Sequence, residues 1–275
     1  MLNNYRPDLN SFLIWLVAIL VAVLPIMMLW EIARDGLPHL TLSFLLDEPS
    51  NAGRSGGIFP MLVSTFWILG VCLLAVIPIG LGCALYLSEC IQAENPIARW
   101  VGLSLDVLSG VPSIVFGLFG YAIFALHLGL GFSIVSGGLS LACMVLPLFI
   151  RTTEHALRSS PPAYRQAAEA LNLSFLGFVA RILIPSASRG IAVALIISIG
   201  RALAETAVLI FTAGYVTRMP SSLSDSGRAL SVHIYDLSMN VSGGQNNAAA
   251  TALVLVIFII LINIFAHRMS RRWQT

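Results

Sequence analysis

The sequence predicts an all-α integral membrane protein with six membrane-spanning helices. Three observations carry that prediction. Of the 275 residues, 57% are hydrophobic and only 10% are charged, against about 25% charged in a typical soluble domain, and the mean hydropathy is +0.89. The hydrophobic residues gather into six runs, each about as long as a helix needs to cross a ~30 Å hydrocarbon core. The arginines divide unequally between the segments that join those runs. Continuous apolar runs suit helices and not the alternating pattern of a membrane β-barrel.

The first run, 12–30, follows Arg6 and Asp8 and is not followed by a small-residue cleavage site, so it reads as a retained helix. A polar stretch, 31–57, holds Arg34, Asp35, Asp47, Glu48 and Arg54. The second run, 61–87, contains Gly70, Pro78, Gly80 and Gly82 and is longer than the bilayer core requires. A polar link, 89–99, leads to the third run, 101–126, and a glycine-rich turn, 127–131, to the fourth, 132–150. A polar loop, 151–189, precedes the fifth run, 190–214. The polar segment 215–247 then leads to the sixth run, 248–266. The whole chain, 1–275, reads as one transmembrane domain.

Six spans place both termini on one side. That side carries Arg6, Arg99, Arg151, Arg158, Arg165, Arg181, Arg189, Arg268, Arg271 and Arg272; the other carries Arg34, Arg54, Arg218 and Arg228. Basic residues concentrate on the cytoplasmic side, so both termini and the 151–189 loop are expected in the cytoplasm. The chain has no lysine, which excludes a GxxxxGK[ST] nucleotide-binding loop. If ATP drives this protein, another chain binds it. Cys72, Cys83, Cys90 and Cys143 lack CxxC spacing and read as packing residues. His39, His127, His155, His233 and His267 show no metal spacing and read as surface or interface groups.

Charged side chains inside a span are the first candidates for function. Arg201 and Glu205 lie in the fifth run, where a central Arg costs roughly 2.5–3.5 kcal/mol even on lenient scales. Four residues apart on one helix, they would share a face and pair. Such a pair either faces a polar pathway for an anion or bridges two helices structurally. The third run carries SGVPSIVFGLFG, residues 109–120. Pro112 there removes a backbone donor, and Ser109 and Ser113 would offer hydroxyls to a cavity at the break. Asp106 reads as a charge near a helix start.

In the polar loop, Gln166, Ala167 and Ala168 are followed by Asn172 and, nine residues on, by Ile182-Leu183-Ile184-Pro185. Residues 166–171 favour helix, Asn172 suits a left-handed stop, and a second helix would end at Pro185. The spacing resembles E-A-A-x3-G-x9-I-x-L-P, the signature of the cytoplasmic loop of ABC-importer permeases. Gln166 stands for Glu, Asn172 for Gly and Ile184 for Leu. In that family the segment is a coupling helix that docks on an ATPase subunit.

With SGGIFPMLVSTF (55–66), PIGLGCALYLSE (78–89), GVPSIVFG (110–117), RALAETA (201–207) and ALSVHIYDLS (229–238), the chain resembles phosphate ABC-transporter permeases of the PstA type. Phe44 to Ile58 favours that type over its partner permease. Ala204 and Val208 depart from the usual Gly and Pro around Glu-Thr-Ala. The resemblance implies a type I importer permease architecture in the cell inner membrane. The expected partners are a second phosphate permease, two ATPase subunits that hold ATP and Mg, and a periplasmic phosphate-binding protein; no nucleic acid is expected. It implies Arg201, Glu205, Ser109 and Ser113 in the substrate pathway. Gln166, Ala167, Ala168, Asn172 and Pro185 would serve ATPase coupling. Two other readings stand: a permease for another oxyanion such as phosphonate or molybdate, and a non-transporting membrane sensor or scaffold.

Overall fold

The computed structural model describes residues 9–91 and 95–272; Arg6 lies outside them. The first element, α1 (Leu9–Gly36), is apolar on every side, and its most apolar stretch buries nothing against the chain. Such a helix has no hydrophobic reason to form in water and every reason to form in lipid. It meets the rest of the chain mainly along α12 (Gln245–Arg272), where a Cβ on Gly36 would come within 2.8 Å of the Ala249 carbonyl oxygen.

A short outer layer follows. Helix α2 (Leu42–Leu46) is capped by Thr41, whose Oγ1 accepts from the Phe44 amide at 3.1 Å. Strands β1 (Pro49–Ser50) and β2 (Ser55–Gly56) pair antiparallel. Their connection passes through Asn51 and Ala52, both at positive φ. The long helix α3 (Phe59–Leu85) then crosses the molecule and ends in a π-helical turn, Tyr86–Cys90.

The third span is broken. Helix α4 (Pro96–Ser109) and the helical segment Ser113–His127, which begins with α5 (Ser113–Gly120), meet at 102°. Pro112 cannot donate its amide and the residue before it is pushed out of the helical region, so the run bends where Gly110-Val111-Pro112 stands. Asp106 consequently lies in the interior of α4 and not near a helix start. Helix α6 (Ile134–Arg158) extends two turns past the expected fourth span and is packed against α3, α4, α5, α9 and α10. Glycines set its closest approaches. A Cβ on Gly138 would lie 2.6 Å from Val71 Cβ and 3.0 Å from the Ile68 carbonyl oxygen, and a Cβ on Gly137 would lie 2.8 Å from Ala213 Cβ. Small residues at crossings are how membrane helices gain contact, since apolar burial alone gives them little over lipid.

Two short helices follow, α7 (Pro162–Ala170) and α8 (Phe175–Phe178), and the chain runs helical from Phe175 to Ala204, including α9 (Ile184–Ala204). Pro185 does not end this helix, contrary to the sequence expectation. The turn before it, Val179–Leu183, is π-helical, and the wider winding accommodates the missing donor. The expected fifth span, 190–214, is instead interrupted at Glu205-Thr206 before α10 (Ala207–Thr212). Helix α11 (Leu230–Met239) covers the hairpin end of the molecule. Its Leu230 amide donates to Thr65 Oγ1 at 2.9 Å, fastening it to α3.

Two buried clusters result. The larger joins α3, α6, α9, α10, α11 and α12; the smaller, with Leu87, Leu105, Leu157, Ala168, Phe178 and Leu183, sits where the spans meet α7. Cys72 is buried in the larger cluster, and all four cysteines are free thiols. His233, expected at a surface or an interface, is 1% exposed beneath Gly53 of the hairpin.

Replacing Gly138 by Val is expected to lower stability by about 1–3 kcal/mol through overpacking, read as an earlier thermal transition in detergent. Burial first and then the Arg228 charge push His233 down to about 4 from 6.5, against the pull of Asp236. Between those pH values the unfolded chain holds a proton that the folded chain does not, so stability falls as pH drops from 6.5 towards 4. The loss should reach about 3 kcal/mol at most, and His233→Phe should flatten it in a pH series of unfolding curves.

Candidate functional site

The break in the fifth span decides where its charges point. Glu205 has extended backbone (φ −77°, ψ 129°), and its carbonyl accepts from Ser231 Oγ at 2.6 Å. Beyond it α10 lies on α5 so closely that a Cβ on Gly117 would come 3.2 Å from the Ala207 carbonyl oxygen. These contacts outweigh the helix propensity of residues 202–207. The i,i+4 pairing of Arg201 with Glu205 therefore does not form: the two are not among the ion pairs within 4.0 Å of the described residues. Arg201 Nε is buried with no hydrogen-bond partner among the described residues.

Arg201 shares its face of α9 with Val193, 48% exposed, and Ile197, 45% exposed. Next to it, a Cβ on Gly200 would meet nothing within 4 Å. The guanidinium thus stands on a face that the chain's own packing leaves open. A planar, permanently charged fork there is suited to bidentate contact with an oxyanion. Ser109 ends α4 and donates its hydroxyl to the Leu105 carbonyl at 2.8 Å; Ser113 opens α5 beyond the 102° bend. Neither serine hydrogen-bonds to Arg201 or Glu205.

At the opposite end, α7 carries Gln166, Ala167 and Ala168. Ala168 is buried and the other two are exposed. Asn172 takes the left-handed conformation, φ 48°, and the Leu173 amide donates back to the Ala168 carbonyl at 2.9 Å. Ser174 caps the next helix through the Gly177 amide at 3.2 Å. Around this turn Leu171, Phe175 and Leu176 are 69%, 50% and 77% exposed, an apolar tip outside the spans.

An ion cluster joins this loop to the spans. Glu154, 6% exposed, bridges Arg151 at 3.2 Å and Arg158 at 3.0 Å. Arg151 also grips Asp106 through Nε at 3.0 Å and Nη2 at 2.8 Å, and donates to the Gly102 carbonyl at 2.8 Å. Arg158 donates to the Leu87 carbonyl at 2.9 Å. Arg165 of α7 holds Glu89 bidentately at 2.6 and 2.9 Å, which raises its pKa despite partial desolvation. A cleft of about 790 Å³ opens beside the cluster between α4 and α6. Asp106 is therefore a cross-helix anchor. The sequence alone gives Glu89 and Glu154 no role, and gives Arg165 only its share of the basic bias of the 151–189 loop. The Arg-x2-Glu-x3-Arg spacing of 151, 154 and 158 was the signal that one helix face carries a charge ladder. Among the described residues no group of three His, Cys, Asp or Glu side chains is arranged to hold a metal ion.

The profile of the family described as binding-protein-dependent transport system inner membrane component matches residues 76–274. The chain belongs to that family. A probable ABC transporter permease, YqgI of Bacillus subtilis, is 32% identical over 269 residues, covering 92% of this chain and 90% of the relative. The phosphate transport system permease protein PstA of Pasteurella multocida is 30% identical over 242 residues, covering 87% and 85%. Among solved structures, a bacterial alginate ABC transporter in complex with its alginate-bound periplasmic protein matches with a TM-score of 0.67 at 16% identity, over 96% of this chain and 95% of that one. The MetNI methionine ABC transporter, inward facing, matches with a TM-score of 0.61 at 17% identity, over 78% and 96%. The fold is that of an ABC importer permease. The protein is a multi-pass inner-membrane transport component and not an enzyme.

Glu154→Gln would leave two arginines short of their shared carboxylate. The expected loss is about 2 kcal/mol, below the range for fully buried pairs, because Arg151 and Arg158 remain 28% and 39% exposed. Thermal unfolding in lipid nanodiscs would measure it.

Proposed function

We propose that this chain is half of the membrane pathway of an ATP-driven importer of inorganic phosphate. The observation that carries the cargo is the likeness to PstA proteins over most of the chain. The open, unpaired Arg201 supports it, because an anion crossing a low-dielectric path needs a fixed positive charge that does not bind it too tightly. In this reading Arg201 meets the anion directly. Glu205, released from α9, shapes the field around it, and Ser109 and Ser113 offer hydroxyls near the bend of the third span. The second half of the pathway is a second phosphate permease, and a periplasmic phosphate-binding protein delivers the cargo.

Two ATPase subunits bind ATP and Mg and receive the apolar tip around Leu171 and Leu176. Gln166, Ala167, Ala168 and Asn172 form the coupling helix and its stop. Pro185 lies farther on, where the helix passes into the span. The arginine distribution supports both termini and the 151–189 loop in the cytoplasm.

Radiolabelled phosphate uptake tests the cargo in cells that lack their own high-affinity system and are supplied with this chain and its partners. Uptake that depends on this chain and ignores excess sulfate, molybdate and phosphonate is expected. Competition by phosphonate or molybdate would transfer the assignment to that oxyanion. Arg201→Ala should reduce uptake at least about tenfold, the loss of one charge-assisted hydrogen bond in the pathway, with the ATPase still co-purifying. Unchanged uptake by that variant would remove Arg201 from the pathway.

A further inference from the structure

Three spans meet the loop that carries α7, and one of them is tied to it by charge. Helix α7 follows α6 after only Ser159-Ser160-Pro161, and leads into α9 through the Asn172 turn. Helix α3 is distant in sequence, yet two arginines from the loop side hold its last turn. Arg158 takes the Leu87 carbonyl at 2.9 Å. Arg165, on α7 itself, takes both oxygens of Glu89, whose side chain is only 6% exposed. The same Arg165 reaches back to the Ser160 carbonyl at 3.3 Å and the Leu157 carbonyl at 3.5 Å. One guanidinium thus ties the coupling helix, the end of α6 and the π turn that closes α3. A bidentate, largely buried pair of this kind resists shear in a way that apolar contact does not.

The rest of α3 is fixed to α6 along its length by the Gly138 contact with Val71 and by Gly80 against Phe149. Helix α9 is also held to α6, by the close approach of Gly190 to Ala156 and by the Ser160–Ser186 hydroxyl hydrogen bond at 3.0 Å, and it reaches α7 through the π turn at 179–183 and the Asn172 turn.

We infer that the Glu89–Arg165 pair is the device that makes α3, α6 and α7 one rigid body, so that displacement of the coupling helix is delivered to the α3–α6 pair. Glu89 and Arg165 are positioning residues in this account, acting on the pathway through the helices they join. The inference rests on the reading of α7 as the ATPase-coupling helix. It is independent of which anion is carried.

The test uses the full transporter complex in nanodiscs, with the four native cysteines of this chain replaced by alanine. Spin labels are placed at Leu74→Cys on α3 and Ala163→Cys on α7, and their separation is measured by pulsed electron paramagnetic resonance without nucleotide and with ATP–vanadate. The expected result is one narrow distance that is the same in both states. Glu89→Gln should broaden that distance and make it change on ATP–vanadate, and the exchanged pair Glu89→Arg with Arg165→Glu should restore the narrow distribution. A narrow, unchanged distance in Glu89→Gln overturns the inference, as does a native pair of helices whose separation changes with nucleotide. Loss of ATPase co-purification in Glu89→Gln also overturns it, by making the pair a docking element. Failure of the ATPase to associate with the otherwise unaltered chain overturns the coupling reading itself.

Discussion

The close contact of α3 with α6 is the constraint from which the rest of the architecture follows. Gly138 lets the backbone of one helix approach the other closely, and the two then share one long interface from the hairpin end to the loop that carries α7. In a bilayer this approach matters more than apolar content, because lipid solvates leucine as well as a neighbouring helix does. The other elements are arranged around that pair. Helix α5 and α10 close one side of α6, α9 another, and α1 stands almost outside the packed body, touching α12.

Charge is placed where that packing gives way. At the loop end, Arg151, Glu154, Arg158, Asp106, Arg165 and Glu89 satisfy one another across four segments of chain. A cluster of this kind adds little net stability, since desolvation offsets much of the attraction. It does fix relative orientation, because each guanidinium has a single fork geometry to satisfy. Arg201 is the opposite case. Its Nε has lost water and gained no partner among the described residues, a cost that buried donors ordinarily recover by pairing. The two sites are therefore opposite in kind: one end is locked by ion pairs across several segments, and Arg201 stands in its span without an ion-pair partner among the described residues.

Much of this was legible in the sequence, for identifiable reasons. The spans showed because lipid demands long apolar helices whatever their packing. Asn172 showed because its left-handed φ of 48° is a property of local chemistry. The bend at Pro112 showed because proline acts on its own backbone. What did not show was set by partners distant in sequence. Pairing of Arg201 with Glu205 followed from helical periodicity, but Ser231 takes the Glu205 carbonyl and α5 receives the α10 backbone, and both lie outside any local window. Pro185 was read as a stop, yet the π turn before it lets the helix continue. Glu89 was one acid in a polar link until Arg165, 76 residues later, folded onto it.

The central claim is that the Glu89–Arg165 pair locks α3, α6 and α7 into one body. Hydrogen exchange of the complex in nanodiscs, read by mass spectrometry, tests it most directly, because exchange reports local opening free energy segment by segment. Slow exchange is predicted through 86–90 and 162–170, and Glu89→Gln should speed exchange in both segments together. Fast exchange at 86–90 in the unaltered complex, or exchange there that Glu89→Gln leaves unchanged, would contradict it.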